Sequence, residues 1–340
     1  MFRTYIRLPH FLGYVATLVI SILILWMIVF PIGFPNVFSS TKSTLPQPLR
    51  HTKFNIHPSV KQIAFLKTNS IFEGFNNVTG TANGELIVPN ILHYVRIRRK
   101  SFSFIEAVCI LSAFKNHKPD MIMFHTDMTE FTGPYWEKIK NTPGFSYKIN
   151  KIKVPRHIFG KQISRQYFLL HATEFMKIKT LMDFGGIVLD SDIYVVKSLK
   201  GFRKYEMAIG WENGACISTR VLIAHKEARF LKLWLQSFRQ YYPSKWYYNA
   251  GCKPTWEILT ARPELVHRVR ILFGLRSLAR YLYRKWNWSG WKKLYTIPVL
   301  VRHSSLRPVR FKWLPKFDEK TIKYYPLAFG VMVRDVYTFT

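Results

Sequence analysis

The sequence predicts an α/β domain with a mostly parallel central sheet and helices on both of its faces. Short apolar stretches alternate with longer helical patterns from about residue 85 onward. The pair Gly185-Gly186 ends the longest of these helical patterns, as glycine often does. The next residues, Ile187-Val188-Leu189, are continuously apolar, which is typical of an interior strand covered on both sides.

The first half of the domain opens with a strand predicted over 87–97. Ser103-Phe104-Ile105-Glu106 is a capping box, and it predicts the start of a helix that runs to about residue 116. An apolar strand follows over 121–124 and leads into Asp127. Pro134 suits the first turn of a short helix over 135–140.

The second half begins with an alternating pattern that predicts a strand over 146–152. Residues 164–182 place apolar side chains on one helical stripe and form the helix that ends at Gly185-Gly186. Past residue 200 the pattern is weaker. It predicts strands over 207–210 and 215–223 and a helix over 226–241.

Two carboxylates follow the apolar strand, in the stretch Asp190-Ser191-Asp192. In open α/β sheets, ligands bind at the carboxyl ends of the strands. Two acidic groups one residue apart can share a divalent cation, and oxygen ligands suit Mn²⁺ or Mg²⁺. Asp190 and Asp192 are therefore the predicted metal-binding and catalytic residues. Asp127 and Glu212 are further acidic candidates, on the sole ground that each follows a predicted strand.

The chain carries 51 Lys and Arg against 19 Asp and Glu, a net charge of +32. This excess predicts anionic partners: a phosphorylated or acidic substrate, a membrane surface or nucleic acid. The hydrophobic content of 48% is ample for a folded core and excludes a disordered tail.

An uncharged stretch, Phe11 to Phe30, is long enough to span a bilayer, which needs about 20 residues. Arginines precede it and no Lys or Arg follows until Lys42, so the positive-inside rule leaves the N-terminus in the cytoplasm. We expect residues 1–10 to be a cytoplasmic tail, 11–30 an uncleaved signal anchor, 31–84 a stem and 85–340 a lumenal catalytic domain. A cleaved signal peptide is the alternative for the apolar stretch.

Two N-glycosylation triplets, at Asn77 and Asn287, agree with a lumenal domain. The cysteines are Cys109, Cys216 and Cys252. A Cys216–Cys252 disulfide and three buried thiols both remain open from the sequence.

With the paired acids in this setting, the sequence resembles the Asp-X-Asp glycosyltransferases of family 32, a family that includes Golgi α-1,4-galactosyl- and α-1,4-N-acetylglucosaminyltransferases. The similar residues are Pro89 to Val95, Ala172-Thr173-Glu174, Lys177, Leu181 and Gly185 to Asp192, with a looser match at Asn249-Ala250-Gly251. The resemblance implies a GT-A nucleotide-diphospho-sugar transferase fold, transfer with retention of configuration, and a Golgi type II membrane enzyme.

The resemblance also implies the site. Asp192 would bind the cation directly and Asp190 would assist through ribose or water. The donor would be a nucleotide sugar, UDP-linked rather than GDP-linked, and the acceptor a glycan or glycolipid. An acidic acceptor would suit the positive net charge of the chain. The expected nucleotide-binding residues are His93, Tyr94, Val95, Thr173, Glu174, Lys177, Gly185 and Gly186.

Two other functions compete with this one. Glu174 and Lys177 stand where the family has Asp and Arg, and Lys lacks the planar bidentate geometry of Arg, so an inactive relative acting as a scaffold in the secretory pathway is the alternative. Basic, aromatic-rich stretches such as 276–293 resemble a nucleic-acid surface. The predicted anchor and lumenal side argue against nucleic acid as a partner.

Overall fold

The computed structural model describes residues 70–299 and 317–339. The strands are β1 (Ile91–Arg96), β2 (Met121–Thr126), β3 (Tyr147–Lys151), β4 (His157–Ile158), β5 (Lys161–Gln162), β6 (Gly186–Leu189), β7 (Ile193–Val195), β8 (Met207–Gly210), β9 (Ser218–Ala224), β10 (His267–Val269) and β11 (Thr296–Pro298). The α-helices are α1 (Phe104–His117), α2 (Pro134–Lys140), α3 (Phe168–Phe184), α4 (Arg229–Ser237), α5 (Ala279–Arg284), α6 (Glu319–Lys323) and α7 (Ala328–Val336).

The central sheet has seven strands in the order β10-β8-β9-β6-β1-β2-β3. Strands β3, β2, β1 and β6 are parallel to one another, and β10 is parallel to β8. Strand β9 runs antiparallel to both of its neighbours, β6 and β8. The predicted α/β fold with a mostly parallel sheet is therefore confirmed.

Hydrophobic cores lie on both faces of this sheet because side chains alternate along each strand. On one face, Leu92 and Tyr94 of β1 pack in a cluster with residues of α1, α2, α5 and α7. On the other face, Val188 of β6 and Leu222 of β9 pack in a cluster with residues of α3 and α4. The predicted helices on both faces are thereby confirmed.

The sequence-predicted capping box is present at the start of α1. Ser103 Oγ accepts a hydrogen bond from the Glu106 backbone N–H, and the Glu106 carboxylate accepts one from the Ser103 N–H, 3.0 Å away. Two backbone donors that the first turn would leave without an intrahelical partner are thus satisfied.

Residues 70–84, predicted as the end of the stem, pack against the domain. Asn77 is 2% exposed, and its side-chain amide donates to Glu206 Oε2 and to the Glu264 carbonyl. Glu206 is in turn fully buried and paired with Arg229 at 2.7 Å. Asn77 is therefore part of a buried polar network and is not accessible for glycan attachment in the folded chain.

A disulfide joins Cys216 to Cys252, across 36 residues of sequence. Cys109 is buried in α1, apart from this bond. Within residues 70–299 and 317–339, no helix combines the length and apolar character needed to cross a bilayer. The predicted anchor (11–30), the cytoplasmic tail and most of the stem lie outside the described residues.

Candidate functional site

The Asp190-Ser191-Asp192 loop follows β6 at the edge of the sheet where the parallel strands end. Asp190 N–H donates to the Arg220 carbonyl of β9 at 2.9 Å, which fixes the start of the loop to the neighbouring strand. The carboxyl ends of β1, β2, β3, β8 and β10 lie at this same edge, because these strands run in the same direction as β6. This edge is where an open α/β sheet binds its ligand.

Lys177 of α3 directs the first carboxylate of the loop. Its Nζ lies 2.6 Å from Asp190 Oδ1 and 2.8 Å from Glu174 Oε1, and it donates to the Thr219 carbonyl at 3.2 Å. The three donor positions of the ammonium therefore have acceptors. Lys177 therefore orients the Asp190 carboxylate from the buried side of the loop.

Burial alone disfavours the charge on Lys177 and lowers its pKa, but the carboxylates of Asp190 and Glu174 outweigh that effect and the net pKa shift is upward. Burial also raises the pKa of Glu174, against the attraction of Lys177. With two carboxylates facing one ammonium, Lys177 stays protonated at neutral pH. Asp190, whose side chain is 29% exposed, is the part of this cluster that reaches the solvent.

Asp192 occupies the protected end of the loop, with only 2% of its surface exposed. Its carbonyl accepts a hydrogen bond from Val299 N–H, 3.0 Å away, just after β11. The backbone of the second carboxylate is thus fixed by a different part of the chain from that of the first, so the relative position of the two is set by the tertiary structure.

Glu106 connects the loop to the N-terminus of α1. Its Oε1 accepts a hydrogen bond from Ser191 Oγ at 3.1 Å and pairs with Arg96 at 2.6 Å and Arg99 at 3.2 Å. Its Oε2 accepts from Ser103. A single buried carboxylate therefore ties together the end of β1, the start of α1 and the middle of the Asp-Ser-Asp loop.

The two arginines on Glu106 differ in exposure. The Arg96 guanidinium is buried and stacks on the Phe102 ring at 3.8 Å. The Arg99 side chain is 38% exposed. Arg99 therefore presents positive charge at the rim of the candidate site, where an arginine suits phosphate oxygens.

The chemistry of the two aspartates fits a divalent cation whose remaining ligands come from a substrate. Mg²⁺ and similar ions commonly bind one or two carboxylates and complete their coordination with substrate phosphates and water. In the described part of the chain, no cluster of three or more His, Cys, Asp or Glu suits a metal ion. A cation at Asp190 and Asp192 would thus need oxygens from its substrate.

Of the predicted nucleotide-binding residues, His93, Gly185 and Gly186 lie inside the fold. Gly186 adopts a φ of 102°, and a Cβ there would meet His93 Nε2 and the Ile91 carbonyl, each at 2.7 Å. His93 is fully buried, and its Nε2 donates to the Gly185 carbonyl at 2.8 Å. These three residues fix the turn between α3 and β6, and the structure does not bring them to the loop.

The other predicted nucleotide-binding residues occupy three different surroundings. Tyr94 is 1% exposed and stacks on Phe124 in the core of the opposite face. Val95 is half-buried, and extending the β1–β6 register places it beside Asp190. Thr173 is half-buried on α3, next to Glu174. Val95, Glu174 and Lys177 are therefore the ones brought close to the paired acids.

A chain of hydrogen bonds runs from His93 across three strands. His93 Nε2–H donates to Gly185, so its Nδ1 accepts from His125 Nε2–H at 2.9 Å, and His125 Nδ1 accepts from the Asn150 amide at 3.0 Å. Both imidazoles are neutral in this arrangement. Burial, and secondarily His125, lowers the pKa of His93 to about 3, and burial lowers that of His125 to about 4.

Acid is expected to destabilise the fold through these two histidines. Both pKa values lie below the unfolded value of 6.5, so the unfolded chain binds more protons between about pH 6.5 and pH 3 and stability falls as the pH drops through that window. Urea unfolding from pH 7.5 to pH 4 should show this fall, and replacing both with glutamine should reduce its slope. Part of the slope should remain, because burial also lowers the pKa of His117 to about 4. The exposed His157 provides the control, H157Q, which should keep the wild-type slope. An unchanged slope in the double variant would contradict the assignment.

The further acidic candidates differ in their surroundings. Asp127 Oδ1 accepts a hydrogen bond from Arg98 N–H at 2.7 Å, which stabilises a residue with φ of 54°. Glu212 is half-buried after β8. Burial raises its pKa, and Arg268 and Arg270 oppose that shift. Asp127 thus has a structural contact, whereas Glu212 is a partly desolvated carboxylate at the same edge of the sheet as Asp190.

Sequence reasoning did not find the roles of Glu106, Thr219 and Tyr247. Glu106 was predicted only as a helix cap. Tyr247 OH bonds to the N–H and the Oγ1 of Thr219, both at 3.0 Å, and thereby holds the residue whose carbonyl accepts from Lys177. No local pattern marks these contacts, since they join residues 28 and 42 positions apart.

No protein family model matches the chain. A curated protein, Glucan organizing enzyme 1 of Cryptococcus neoformans var. grubii serotype A, is 25% identical over 198 residues. The match covers 52% of this chain and 51% of the relative, so it spans about half the length of that protein. The predicted membership of family 32 stays a prediction.

Solved glycosyltransferase structures show a low similarity. PaToxG glycosyltransferase matches 52% of this chain and 70% of its own, with 15% identity and a TM-score of 0.38. GlyE of Streptococcus pneumoniae TIGR4 matches 73% and 63%, with 11% identity and a TM-score of 0.40. The galactosyltransferase LgtC, solved with donor and acceptor sugar analogues, matches 74% and 97%, with 13% identity and a TM-score of 0.37.

Proposed function

We propose that this chain is a glycosyltransferase that moves a hexose or N-acetylhexosamine from a nucleotide-diphosphate sugar to a glycan or glycolipid. The observation that carries the proposal is the carboxylate pair Asp190 and Asp192 at the ligand-binding edge of a mostly parallel sheet, with Lys177 directing one of them. The resemblance to family 32 supports a GT-A site, a UDP-linked donor and retention of configuration as parts of this proposal.

Each residue of the site has a distinct task in this proposal. Asp190 and Asp192 would hold Mn²⁺ or Mg²⁺, and the cation supplies positive charge that stabilises a departing diphosphate. Lys177 keeps the Asp190 carboxylate in a single orientation, at 2.6 Å. Arg99, at the rim, binds phosphate oxygens of the donor, and Glu106 holds its guanidinium in place.

We also propose a type II membrane protein of the Golgi with its catalytic domain in the lumen. The Cys216–Cys252 disulfide supports this location, since disulfides persist in oxidising compartments such as the secretory pathway. The name of the curated relative supports a glucan as one class of acceptor.

A lumenal domain is expected to carry an N-glycan at Asn287 and none at Asn77. Asn287 is exposed, whereas Asn77 is buried and its side-chain amide donates to Glu206. Expressed in a eukaryotic secretory pathway, the chain should show one glycan-dependent shift in gel mobility, lost in N287Q and kept in N77Q. A shift that disappears in N77Q would contradict the assignment, and the absence of any shift would count against the lumenal topology.

The proposal is tested by calorimetric titration of the full-length chain in detergent with UDP and with GDP, each with and without Mn²⁺. We expect UDP to bind and Mn²⁺ to tighten its binding by at least 10-fold. The exposed Asp183 provides the control variant, D183N, which should behave as the wild type. Failure of both nucleotides to bind would reject the transferase and favour the scaffold.

A further inference from the structure

A group of aromatic side chains is exposed in the segment that follows α4. Tyr242, Trp246 and Trp256 are 41%, 46% and 40% exposed. The half-buried ring of Tyr248 lies between two of them, with centroids 5.3 Å from Tyr242 and 6.2 Å from Trp256. We refer to Tyr242, Trp246, Tyr248 and Trp256 as the aromatic platform. Tyr242, Tyr248 and Trp256 thus form a contiguous row of rings, and exposed apolar surface of this kind marks an interaction site.

The backbone of the platform is fixed by the side chains of Asn249 and His171. The Asn249 side chain accepts from Tyr242 N–H at 2.9 Å and donates to the Tyr242 carbonyl at 2.8 Å. His171 Nε2 of α3 donates to the Trp246 carbonyl, also at 2.8 Å. The disulfide fixes the same segment at Cys252. A surface already held in one conformation loses little entropy when a ligand binds.

Tyr247, between two platform residues, links the platform to the paired acids. Its hydroxyl bonds to Thr219, the Thr219 carbonyl accepts from Lys177, and Lys177 pairs with Asp190. Gly251 is required for this link, because a Cβ there would lie 2.1 Å from the Tyr247 ring. The platform is thereby joined, through Tyr247, Thr219 and Lys177, to the loop on which a sugar would be transferred.

The composition of the platform favours an uncharged sugar chain. Its rings offer flat π-faces, and the indole N–H and phenol O–H groups at their edges can bond to hydroxyls. The ionisable groups within its final turn, Lys253 and Glu257, form an ion pair with each other. In a β-linked glucose chain every ring hydroxyl is equatorial, so both faces of each ring present only C–H bonds to an aromatic surface.

We propose that the aromatic platform binds an uncharged β-linked glucose oligomer, which is the acceptor of the transfer reaction. This inference rests on the proposed transferase function for the acceptor role. The proposed acceptor is uncharged, whereas the net charge of the sequence suggests an acidic one. We prefer the uncharged acceptor because the platform offers aromatic faces to its ligand.

The test uses the full-length chain in detergent and laminarihexaose, a β-1,3-linked glucose hexamer, as the probe. The affinity is measured by calorimetry for the wild type, W246A and W256A. Trp286 is 63% exposed and lies outside the platform, so W286A is the matched control. We expect Kd to rise at least 10-fold in W246A and W256A and to stay unchanged in W286A, with the same thermal midpoint in all three variants.

The outcomes separate this inference from the proposed function. UDP binding with Mn²⁺ and no laminarihexaose binding would overturn the platform and leave the transferase standing. Laminarihexaose binding that depends on Trp246 and Trp256, without UDP binding, would support the platform as a glucan site and reject the transferase. If a hexamer of galacturonic acid binds more tightly than laminarihexaose, the proposal that the ligand is uncharged is wrong. If W246A and W256A change the chain from dimer to monomer and no sugar binds, the platform is a contact surface for a second copy of the chain and not a sugar site.

Discussion

Replacing Asp192 with asparagine is expected to abolish sugar transfer and the Mn²⁺-dependent tightening of UDP binding while the fold is kept. Asparagine has nearly the same shape, so the buried position stays filled, but its amide removes the negative charge that a cation requires. Losing a group that stabilises charge in the transition state costs roughly 10²–10³-fold in rate, and losing a direct ligand should cost at least that much. The measurement is transfer of labelled hexose from UDP-hexose, alongside the calorimetry.

The control for this experiment is D183N, since Asp183 is exposed at the end of α3 and lies seven residues before Asp190. Wild-type activity in D183N and none in D192N would place the loss at the loop. Retention of Mn²⁺-dependent UDP binding in D192N would show that Asp192 is not a metal ligand. The neutral amide of asparagine binds a divalent cation more weakly than a carboxylate does.

Replacing Lys177 with methionine should lower the free energy of unfolding by about 3–5 kcal/mol, the usual cost of breaking a buried ion pair. The loss arises mainly at Glu174, which is 5% exposed and would keep an uncompensated charge. Asp190 is partly exposed, so water takes over some of its stabilisation. Urea unfolding measures the change. Transfer activity should fall as well, because the Asp190 carboxylate would lose the ammonium group that orients it.

The double variant E174Q/K177M keeps this prediction testable. Removing the carboxylate together with the ammonium should restore a large part of the stability, whereas the activity should stay low because Asp190 still lacks its partner. Lys179 on the same helix is half-buried and provides the control, K179M. Unfolding of K177M at the wild-type urea concentration would show that the cluster carries little of the stability.

Local signals were sufficient for most of the sheet. The strand predicted over 207–210 matches β8, and the predicted strand over 146–152 contains β3. The capping box at Ser103 and the glycines after α3 are signals within a few residues, and both predictions were right. Ile187-Val188-Leu189 was recognisable as an interior strand because all three residues are apolar, and β6 contains them.

The rest depended on contacts that no local pattern records. Thr219 and Tyr247 meet only because β9 runs antiparallel to β6 and the chain after α4 returns to it. That returning segment contains two short π-helices, Tyr248–Cys252 and Thr255–Leu259, which the 3.6-residue period does not predict. The resemblance to family 32 implied a nucleotide contact for His93, and in the structure its Nε2 donates to the carbonyl of Gly185 inside the fold.

The Glu106 carboxylate has a consequence for how this sequence can change over evolution. It accepts from Arg96, Ser103 and Ser191 at once, in a site that is 2% exposed. A neutral residue at 106 would leave the buried Arg96 without its ion-pair partner. A neutral residue at 96 would in the same way remove the ion pair of the buried Glu106 carboxylate. Homologous chains should therefore vary at 96 and 106 together, with a paired change to two neutral residues as the accessible route. Ser191, the middle residue of the acidic loop, should also vary in those lineages, because it would no longer donate to Glu106.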